Sequence, residues 1–304
     1  MKLQKILILL ALVLLLSACG GRSSGSGHQE VDDDFRSGTT ALQMRFMPDA
    51  PPREVYQEQQ LRVDLELHNK GGNDIRGGTL SVNYDDSVLE SNTQTIQRID
   101  VDGRSPDNPQ GERYIEFFSF IAKSLPSQSQ RRTTEVVATA CYTFHTTQRD
   151  VVCVDNDPYN IAETEKPCTL SDVSLGTGGG PLNVERAEVF FREESTDLLI
   201  PEITFHIKNS GRGVVYEPGW DGTFCSSVAA PGDIVNHIYF EANFSNDQLF
   251  CDEQFIKLID GSVRVRCVGN PIDVSATTSY ETSLSTSIAY GYAESESTKF
   301  DIIR

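Results

Sequence analysis

The sequence predicts an all-β protein made of two tandem Ig-like antiparallel β-sandwiches, and three observations support this fold class. Short runs of alternating apolar and polar residues recur along the chain, separated by clusters of turn-forming residues. No window of a dozen residues shows the 3.6-residue apolar period of an amphipathic helix. One strand-and-turn pattern occurs twice, 140 residues apart. Many short strands with regular turn signals are typical of β-sandwiches.

The repeated pattern consists of a strand that ends in an Asn-x-Gly turn. In the first copy, residues 61–67 alternate apolar and polar side chains before the turn at residues 69–71. In the second copy, residues 203–207 alternate before the turn at residues 209–211. The positions that correspond, each pair 140 residues apart, are Val63 and Ile203, Leu65 and Phe205, Leu67 and Ile207, Asn69 and Asn209, and Gly71 and Gly211. We therefore expect the two turns to occupy equivalent corners of two similar sandwiches.

The N-terminus has the features of a signal peptide. Lys2 and Lys5 precede an apolar run over residues 6–16, and small residues follow. Eleven apolar residues cover only about half of a hydrocarbon core that is roughly 30 Å thick, which disfavours a permanent membrane-spanning helix. Residues 16–19, Leu-Ser-Ala-Cys, resemble the lipobox of prokaryotic lipoproteins, and this resemblance implies diacylation of Cys19. The competing interpretation is ordinary cleavage near Ala18, which would leave an unpaired thiol.

Export and a lipid at Cys19 would place the protein on the outer face of the cell membrane or at the cell surface. Removal of residues 1–18 takes away Lys2 and Lys5, which leaves 286 residues with 24 basic and 44 acidic side chains, a net charge of −20. So negative a surface repels nucleic acid and anionic headgroups. We therefore expect the membrane to be contacted through the lipid alone, and other surface or envelope proteins to be the partners.

Composition divides the chain into five segments. Residues 1–18 form the lipoprotein signal peptide, and residues 19–40, rich in Gly, Ser and charge, form a lipidated flexible tether. The first sandwich is predicted at residues 41–145 and the second at residues 182–304. Between them, residues 146–181 are rich in Asp, Gly and Pro and are predicted to be a disulfide-containing linker. In the second sandwich, Asp260-Gly261 is the preferred pair for a two-residue type I′ turn.

Six cysteines remain after Cys19 is set aside, and an even number in an exported chain indicates disulfides. The absence of any CxxC pair disfavours zinc. Six cysteines allow fifteen connectivities, which sequence cannot resolve. A hairpin turning near Thr147 and the turn at Asp260-Gly261 favour two pairs, and the third follows from them. The expected bridges are Cys141–Cys153, Cys251–Cys267 and Cys168–Cys225.

No stretch of the sequence specifies a chemical reaction. There is no HExxH zinc motif and no GxSxG nucleophile elbow, and every cysteine beyond Cys19 has an expected partner, so we expect a non-catalytic protein. Calcium is the best cofactor hypothesis, because Asp100 with Asp102 and Asp155 with Asp157 present alternating oxygens. The competing interpretation is that these are solvated turns, since the spacing does not fit an EF-hand loop.

Trp220 is the single tryptophan and lies in the turn-rich stretch Pro-Gly-Trp-Asp-Gly at residues 218–222. A tryptophan in a loop can stack on a sugar or on a partner protein, which makes it a ligand-binding hypothesis. The competing interpretation is that it covers the end of a sandwich.

The repeated strand-turn resembles CARDB-like and other Ig-like extracellular modules. Most of the chain after residue 40 also resembles a group of uncharacterised exported surface lipoproteins of archaeal type. The segments that carry this second resemblance are residues 48–52, 69–77, 141–144, 152–159, 181–184 and 289–292. The resemblance implies export and two domains, and it implies no active site.

Two functional hypotheses follow from the sequence. The first is a lipid-anchored structural, adhesion or protein-binding module of the cell surface that works through loops or sheet edges. The second is a surface lipoprotein that binds a glycan or calcium through the Trp220 loop or a cleft between the domains.

Overall fold

Alternating side chains give the chain its strands. In the strand that follows Tyr56, the side chains of Leu61, Val63 and Leu65 are buried, whereas those of Gln60 and Arg62 face solvent. The same inward and outward alternation recurs in the strands of the second half, for example in the burial of Phe205. Buried apolar rows of this kind require a second sheet to cover them, which is why the chain forms layers.

The computed structural model describes residues 33–157, 161, 165–219, 225, 232–275 and 279–304. Within these ranges the chain forms one 3₁₀ turn, Asp33–Arg36, and no α-helix. The strands of the first half are β1 (Leu42–Phe46), β2 (Glu54–Tyr56), β3 (Gln60–Asn69), β4 (Ile75–Tyr84), β5 (Leu89–Ser91), β6 (Ile96–Val101), β7 (Arg113–Ala122) and β8 (Arg131–Asp155). Those of the second half are β9 (Leu182–Ser195), β10 (Leu198–Asn209), β11 (Val214–Tyr216), β12 (His237–Phe244), β13 (Asp247–Gln248), β14 (Phe250–Cys251), β15 (Phe255–Lys257), β16 (Ser262–Val268), β17 (Ile272–Asp273) and β18 (Ser279–Ile303).

These strands form three sheets. The first layer has the order β1-β3-β7-β5, and the second layer has the order β14-β16-β10-β17, with β9 also paired to β10. The third, called here the common sheet, has the order β13-β12-β18-β8-β4-β6, and β2, β11 and β15 pair with its strands. The pairing is antiparallel except where β2 runs parallel to β18. The predicted all-β antiparallel class is confirmed.

Both layers pack on the common sheet. The ring of Phe120 in the first layer meets that of Tyr84 in the common sheet at a centroid distance of 5.0 Å. The ring of Phe205 in the second layer meets that of Phe240 in the common sheet at 5.2 Å. Edge-on contacts of this kind add to the burial of large apolar side chains. Buried residues of both halves belong to one continuous hydrophobic core.

The common sheet is built around two unusually long strands. β8 and β18 each contain 25 residues and pair with each other from Arg131↔Ile303 to Asp155↔Ser279. The predicted boundary between residues 145 and 146 therefore lies inside β8, and the first ten residues of the predicted linker are strand. Because one sheet serves both halves, this pairing does not show two separate tandem sandwiches. Alternation reveals a strand but not its partner, so the sequence could not predict this sharing.

The two Asn-x-Gly turns are equivalent, as expected from the repeat. Gly71 N–H donates to Asn69 Oδ1 at 2.9 Å, and Gly211 N–H donates to Asn209 Oδ1 at 3.0 Å. In each turn the asparagine Nδ2 also donates to the carbonyl oxygen four residues further on. The strand that precedes each turn is paired alike, with Leu42 opposite Asn69 and Leu182 opposite Asn209.

The predicted hairpin turn at Asp260-Gly261 is present, with φ of 50° and 77° at the two residues and mutual backbone hydrogen bonds between Ile259 and Ser262. The strands that flank it nevertheless belong to different sheets. β15 pairs with β12 in the common sheet, whereas β16 pairs with β10 in the second layer. The turn therefore connects two layers.

Three disulfides join the six cysteines of the described chain, and they correct two of the expected pairs. Cys251 is bonded to Cys267, as predicted, but Cys141 is bonded to Cys225 and Cys153 to Cys168. The expected hairpin near Thr147 does not exist, because β8 runs straight through that residue. Cys141 and Cys153 therefore lie twelve residues apart along one extended strand, which is far beyond disulfide reach.

Within the described residues, none of the helical segments could span a membrane.

Candidate binding groove

Two tyrosines at equivalent positions of the long strands hold the starts of β1 and β9. Tyr142 of β8 and Tyr290 of β18 are 148 residues apart. The Tyr142 hydroxyl accepts the N–H of Leu42 at 3.3 Å, and the Tyr290 hydroxyl accepts the N–H of Leu182 at 3.5 Å. Leu42 and Leu182 are the first residues of β1 and β9, so the repeat extends to the contacts between the layers.

The second hydrogen bond of each tyrosine distinguishes the two halves. Tyr142 Oη donates to Glu294 Oε1 at 2.8 Å, whereas Tyr290 Oη is paired with Thr146 Oγ1 at 2.8 Å. Glu294 lies 148 residues after Thr146, so the two side chains occupy equivalent positions. One half therefore has a carboxylate where the other has a neutral hydroxyl.

Glu294 is held in a setting that disfavours its charge. The pKa of this carboxyl is raised to about 7, mainly by burial and in smaller part by the nearby Glu296, while the hydrogen bond from Tyr142 opposes the rise. Burial also raises the pKa of the Tyr142 phenol well above its ordinary value, and the adjacent Glu294 adds to this effect. Glu294 thus changes charge near neutral pH.

Glu294 lines a cavity of about 430 Å³, called here the β1 groove. One wall is formed by residues 39–44, which lead into β1 and include its first half. The other walls are formed by Pro181, by the turn at residues 210–212, and by four residues of β18. These four residues are Tyr292, Glu294, Ser295 and Glu296.

The free edge of β1 faces this groove. β1 is the outermost strand of the first layer, and β3 is its only partner strand in the described part of the chain. The bonds of Ala41 O with Lys70 N–H and of Met47 N–H with Asp64 O show that the odd-numbered residues bond to β3. Alternation then directs the backbone N–H and C=O groups of Met44 and Phe46 to the outer edge. An edge of this kind can pair with an added strand.

The groove therefore combines two means of binding. Outward backbone groups of β1 offer hydrogen bonds to an extended segment, and the carboxyl groups of Glu294 and Glu296 attract a cation. Arg212 lines the groove as well and is exposed, so it offsets part of the negative charge. Within the described ranges, no three His, Cys, Asp or Glu residues are grouped as metal ligands.

The sequence-predicted site residues lie elsewhere. Cys19 and Trp220 fall outside the described residues, so their roles stay predictions. Asp100 accepts a hydrogen bond from the N–H of Gly77 at 2.6 Å, and Asp102 pairs with Arg76. Each of these two carboxylates is therefore engaged by a partner from the neighbouring strand β4.

The second acidic pair binds a cation from the protein itself. Lys166 Nζ lies 2.9 Å and 3.1 Å from the two carboxylate oxygens of Asp155 and 3.9 Å from Asp157 Oδ2. The side chains of Lys166 and Asp155 are only 6% and 3% exposed. A buried pair of this kind is costly to break, because either charge left alone would lack compensation. The ammonium group of Lys166 therefore lies where the calcium hypothesis would place the metal ion.

Neither Glu294 nor Glu296 was predicted from the sequence to be a site residue. A signal for Glu294 was present, because it continues the inward alternation of Ile288, Tyr290 and Tyr292 along β18. A carboxylate at an inward position of a strand indicates a special environment. The role of Glu296 had no such signal, because it depends on the position of β1 in the folded chain.

Comparisons with known proteins identify no family. No family model matches the chain, and no curated protein matches it. Among solved structures, the chain is similar to the YadV chaperone, at 12% identity over 80% of this chain and 99% of that chain, with a TM-score of 0.20. It is also similar to the CupB6 tip adhesin from Pseudomonas aeruginosa, at 8% identity over 88% of this chain and 96% of that chain, with a TM-score of 0.16. At these TM-scores the function has to be argued from the groove.

Proposed function

We propose that this protein is an exported, lipid-anchored and non-catalytic module of the cell surface that binds other proteins and serves adhesion or envelope architecture. The observation that carries the proposal is the β1 groove, in which a strand edge that has no partner strand among the described residues lies beside an open cavity. Strand edges recognise extended polypeptide through their backbone groups. A protein partner therefore fits the site better than a small molecule does.

The rest of the structure supports such a role. β8 and β18 run through both halves as one strand pair, so the two layers are connected by a continuous sheet instead of a hinge. Cys141–Cys225 adds a covalent bond between the first and second halves. A stiff, cross-linked scaffold suits a protein that holds its partners at a fixed distance from the membrane. Three disulfides are typical of an oxidising compartment outside the cytoplasm.

The proposal is tested in cells that lack the protein. We expect these cells to attach to one another or to a surface several-fold less than the parent cells, and expression of the full chain to restore attachment. The Cys19→Ser variant should be exported but released from the membrane fraction, and it should not restore attachment. Unchanged attachment and unchanged envelope organisation in the deleted cells would contradict the proposed function. Membrane retention of Cys19→Ser would contradict the lipid anchor alone.

A further inference from the structure

The second half of the molecule has an equivalent of the β1 groove, and there the groove is filled. In β9, Val184 lies opposite Ile207 and Ala187 opposite Phe205, which matches Met44 opposite Leu67 and Phe46 opposite Leu65 in β1. The N–H and C=O of Ala187 both bond to Val173, at 2.8 Å and 2.9 Å. Residues 173–180, called here the glycine segment, therefore lie along the outer edge of β9, and they pair with it through one antiparallel bridge, Val173↔Ala187.

Gln148 fastens this segment to β9. Its Nε2 donates to the carbonyl oxygens of Leu175 at 3.3 Å and Gly176 at 2.9 Å, and also to that of Val184 at 3.0 Å. Its Oε1 accepts the N–H of Val184 at 2.7 Å. One buried amide thus satisfies the outward groups of the strand and the carbonyls of the segment together.

The glycines allow the segment to lie directly on the common sheet. A Cβ at Gly178 would be 2.4 Å from Thr146 Cγ2 and 2.8 Å from Gln148 Cγ. A Cβ at Gly180 would be 2.3 Å from Thr146 Oγ1. No room for a ligand is left above Thr146 and Gln148, and the segment itself acts as the ligand of this groove.

The first half has different side chains at the positions that correspond to Thr146 and Gln148. Glu294 and Glu296 stand 148 residues after Thr146 and Gln148, so two carboxyl groups replace a hydroxyl and an amide. Residues Asp33–Arg36, which precede the groove, form a 3₁₀ turn instead of an extended segment. Among the residues that the structure describes, no segment fills the corresponding space in the first half, where the β1 groove lies.

We propose that the β1 groove binds an extended segment of a partner protein, which pairs antiparallel with β1 and directs a lysine or arginine side chain at Glu294 and Glu296. The inference rests on the proposed protein-binding function and specifies the chemistry of the partner. The antiparallel backbone pairing is inferred from the way the glycine segment pairs with β9. The basic residue follows from the carboxyl groups, since an ionised carboxylate can accept hydrogen bonds but cannot donate to the segment's carbonyls as Gln148 does. Lysine and arginine supply the missing donors and a charge-assisted bond.

The probes are synthetic octapeptides based on the glycine segment, Val-Ser-Leu-Gly-Thr-Gly-Gly-Gly, and their N-terminus is acetylated so that the valine nitrogen is an amide with one N–H. In one set, each of the four residues after the leucine is replaced in turn by lysine, and in a matched set by glutamate. Binding to the purified full-length protein is measured by titration calorimetry at pH 8. We expect at least one lysine peptide to bind about tenfold more tightly than its glutamate counterpart. The preference should fall to less than twofold in the double variant Glu294→Gln and Glu296→Gln.

Backbone pairing is tested with two N-methylated forms of the best lysine peptide. Methylation of the valine nitrogen removes the N–H that would bond to Phe46 O, and we expect binding to be lost. Methylation of the serine nitrogen removes an N–H that points away from β1, and binding should persist. Equal binding of lysine and glutamate peptides, no binding at millimolar concentration, or loss of binding with the serine-methylated peptide alone would overturn the inference. The attachment assay tests the proposed function separately. If the deleted cells lost attachment as expected but the peptides did not bind, the inference would fail and the proposed function would stand.

Discussion

At the residue scale, Glu294 lies in an environment that disfavours its charged form. Its carboxyl group accepts a hydrogen bond from the phenol of Tyr142, and Glu296 and Arg212 are the other charged groups that line the groove. Burial of an acid without a basic partner favours the neutral form. The folded protein is therefore more stable when Glu294 is protonated.

This environment predicts a pH dependence of stability. The folded pKa of about 7 lies above the ordinary value of 4.5, so the stabilisation is complete below about pH 4.5 and is lost as the pH rises through 7. We expect the protein to lose on the order of 3 kcal/mol of unfolding free energy from Glu294 between pH 5 and pH 8. Thermal melting across this range should show the loss in the wild type and should show little of it in Glu294→Gln.

The matched control for this measurement is Glu281→Gln. Glu281 lies on the same strand, β18, but its side chain is exposed. Its replacement should leave the pH dependence as it is in the wild type. A Glu294→Gln variant that kept the full dependence would show that another group causes it.

At the element scale, the two Asn-x-Gly turns show how one sequence pattern produces the same local structure in both halves. Each asparagine accepts the N–H two residues ahead and donates to the carbonyl four residues ahead. Asn69 Nδ2 also donates to Val101 O at 3.0 Å, and the side chain of Asn69 is fully buried. Asn209 is only partly buried. The turns are therefore alike in geometry but unequal in how much they stabilise the fold.

We expect Asn69→Ala to destabilise the protein by about 2–4 kcal/mol and Asn209→Ala by about 1–2 kcal/mol. Each lost bond costs roughly 1 kcal/mol, and partners left buried without a bond cost more. Urea denaturation of the two variants measures both values. A larger loss for Asn209→Ala would contradict the assignment of these bonds.

At the scale of the whole molecule, the shared sheet makes the two halves dependent on each other. A fragment limited to residues 41–145 would lack β18, which pairs with both β8 and β2. A fragment limited to residues 182–304 would lack β8, and β18 pairs with β8 along its whole length. Each fragment would also lack one cysteine of the Cys141–Cys225 bridge.

We therefore expect neither fragment to fold alone, and the full chain to unfold in one cooperative thermal transition. Amide NMR spectra of the fragments, produced under oxidising conditions, should lack the dispersion of a folded β protein. The full chain serves as the control in the same buffer. Two well-dispersed fragment spectra would restore the interpretation of independent tandem domains.

The sequence by itself determined the β class, the duplication and the local turns. Alternation with a period of two is a property of one strand, and the turns at Asn69, Asn209 and Asp260-Gly261 depend on residues next to them. It also determined that at least one disulfide must connect the two groups of cysteines, because each group holds an odd number. The bond between Cys141 and Cys225 meets this requirement.

Only the tertiary structure decided which strands are neighbours. The pairing of β8 with β18 joins residues far apart in the chain, and no local pattern encodes it, so the domain boundary and two disulfide pairs were predicted wrongly. The groove has the same origin, because β1, the turn at residues 210–212 and Glu294 meet only when the common sheet is assembled. Long-range pairing depends on the fit of whole layers, whereas strand and turn patterns depend on adjacent residues. For that reason, the elements of this protein can be predicted from its sequence, whereas the β1 groove cannot.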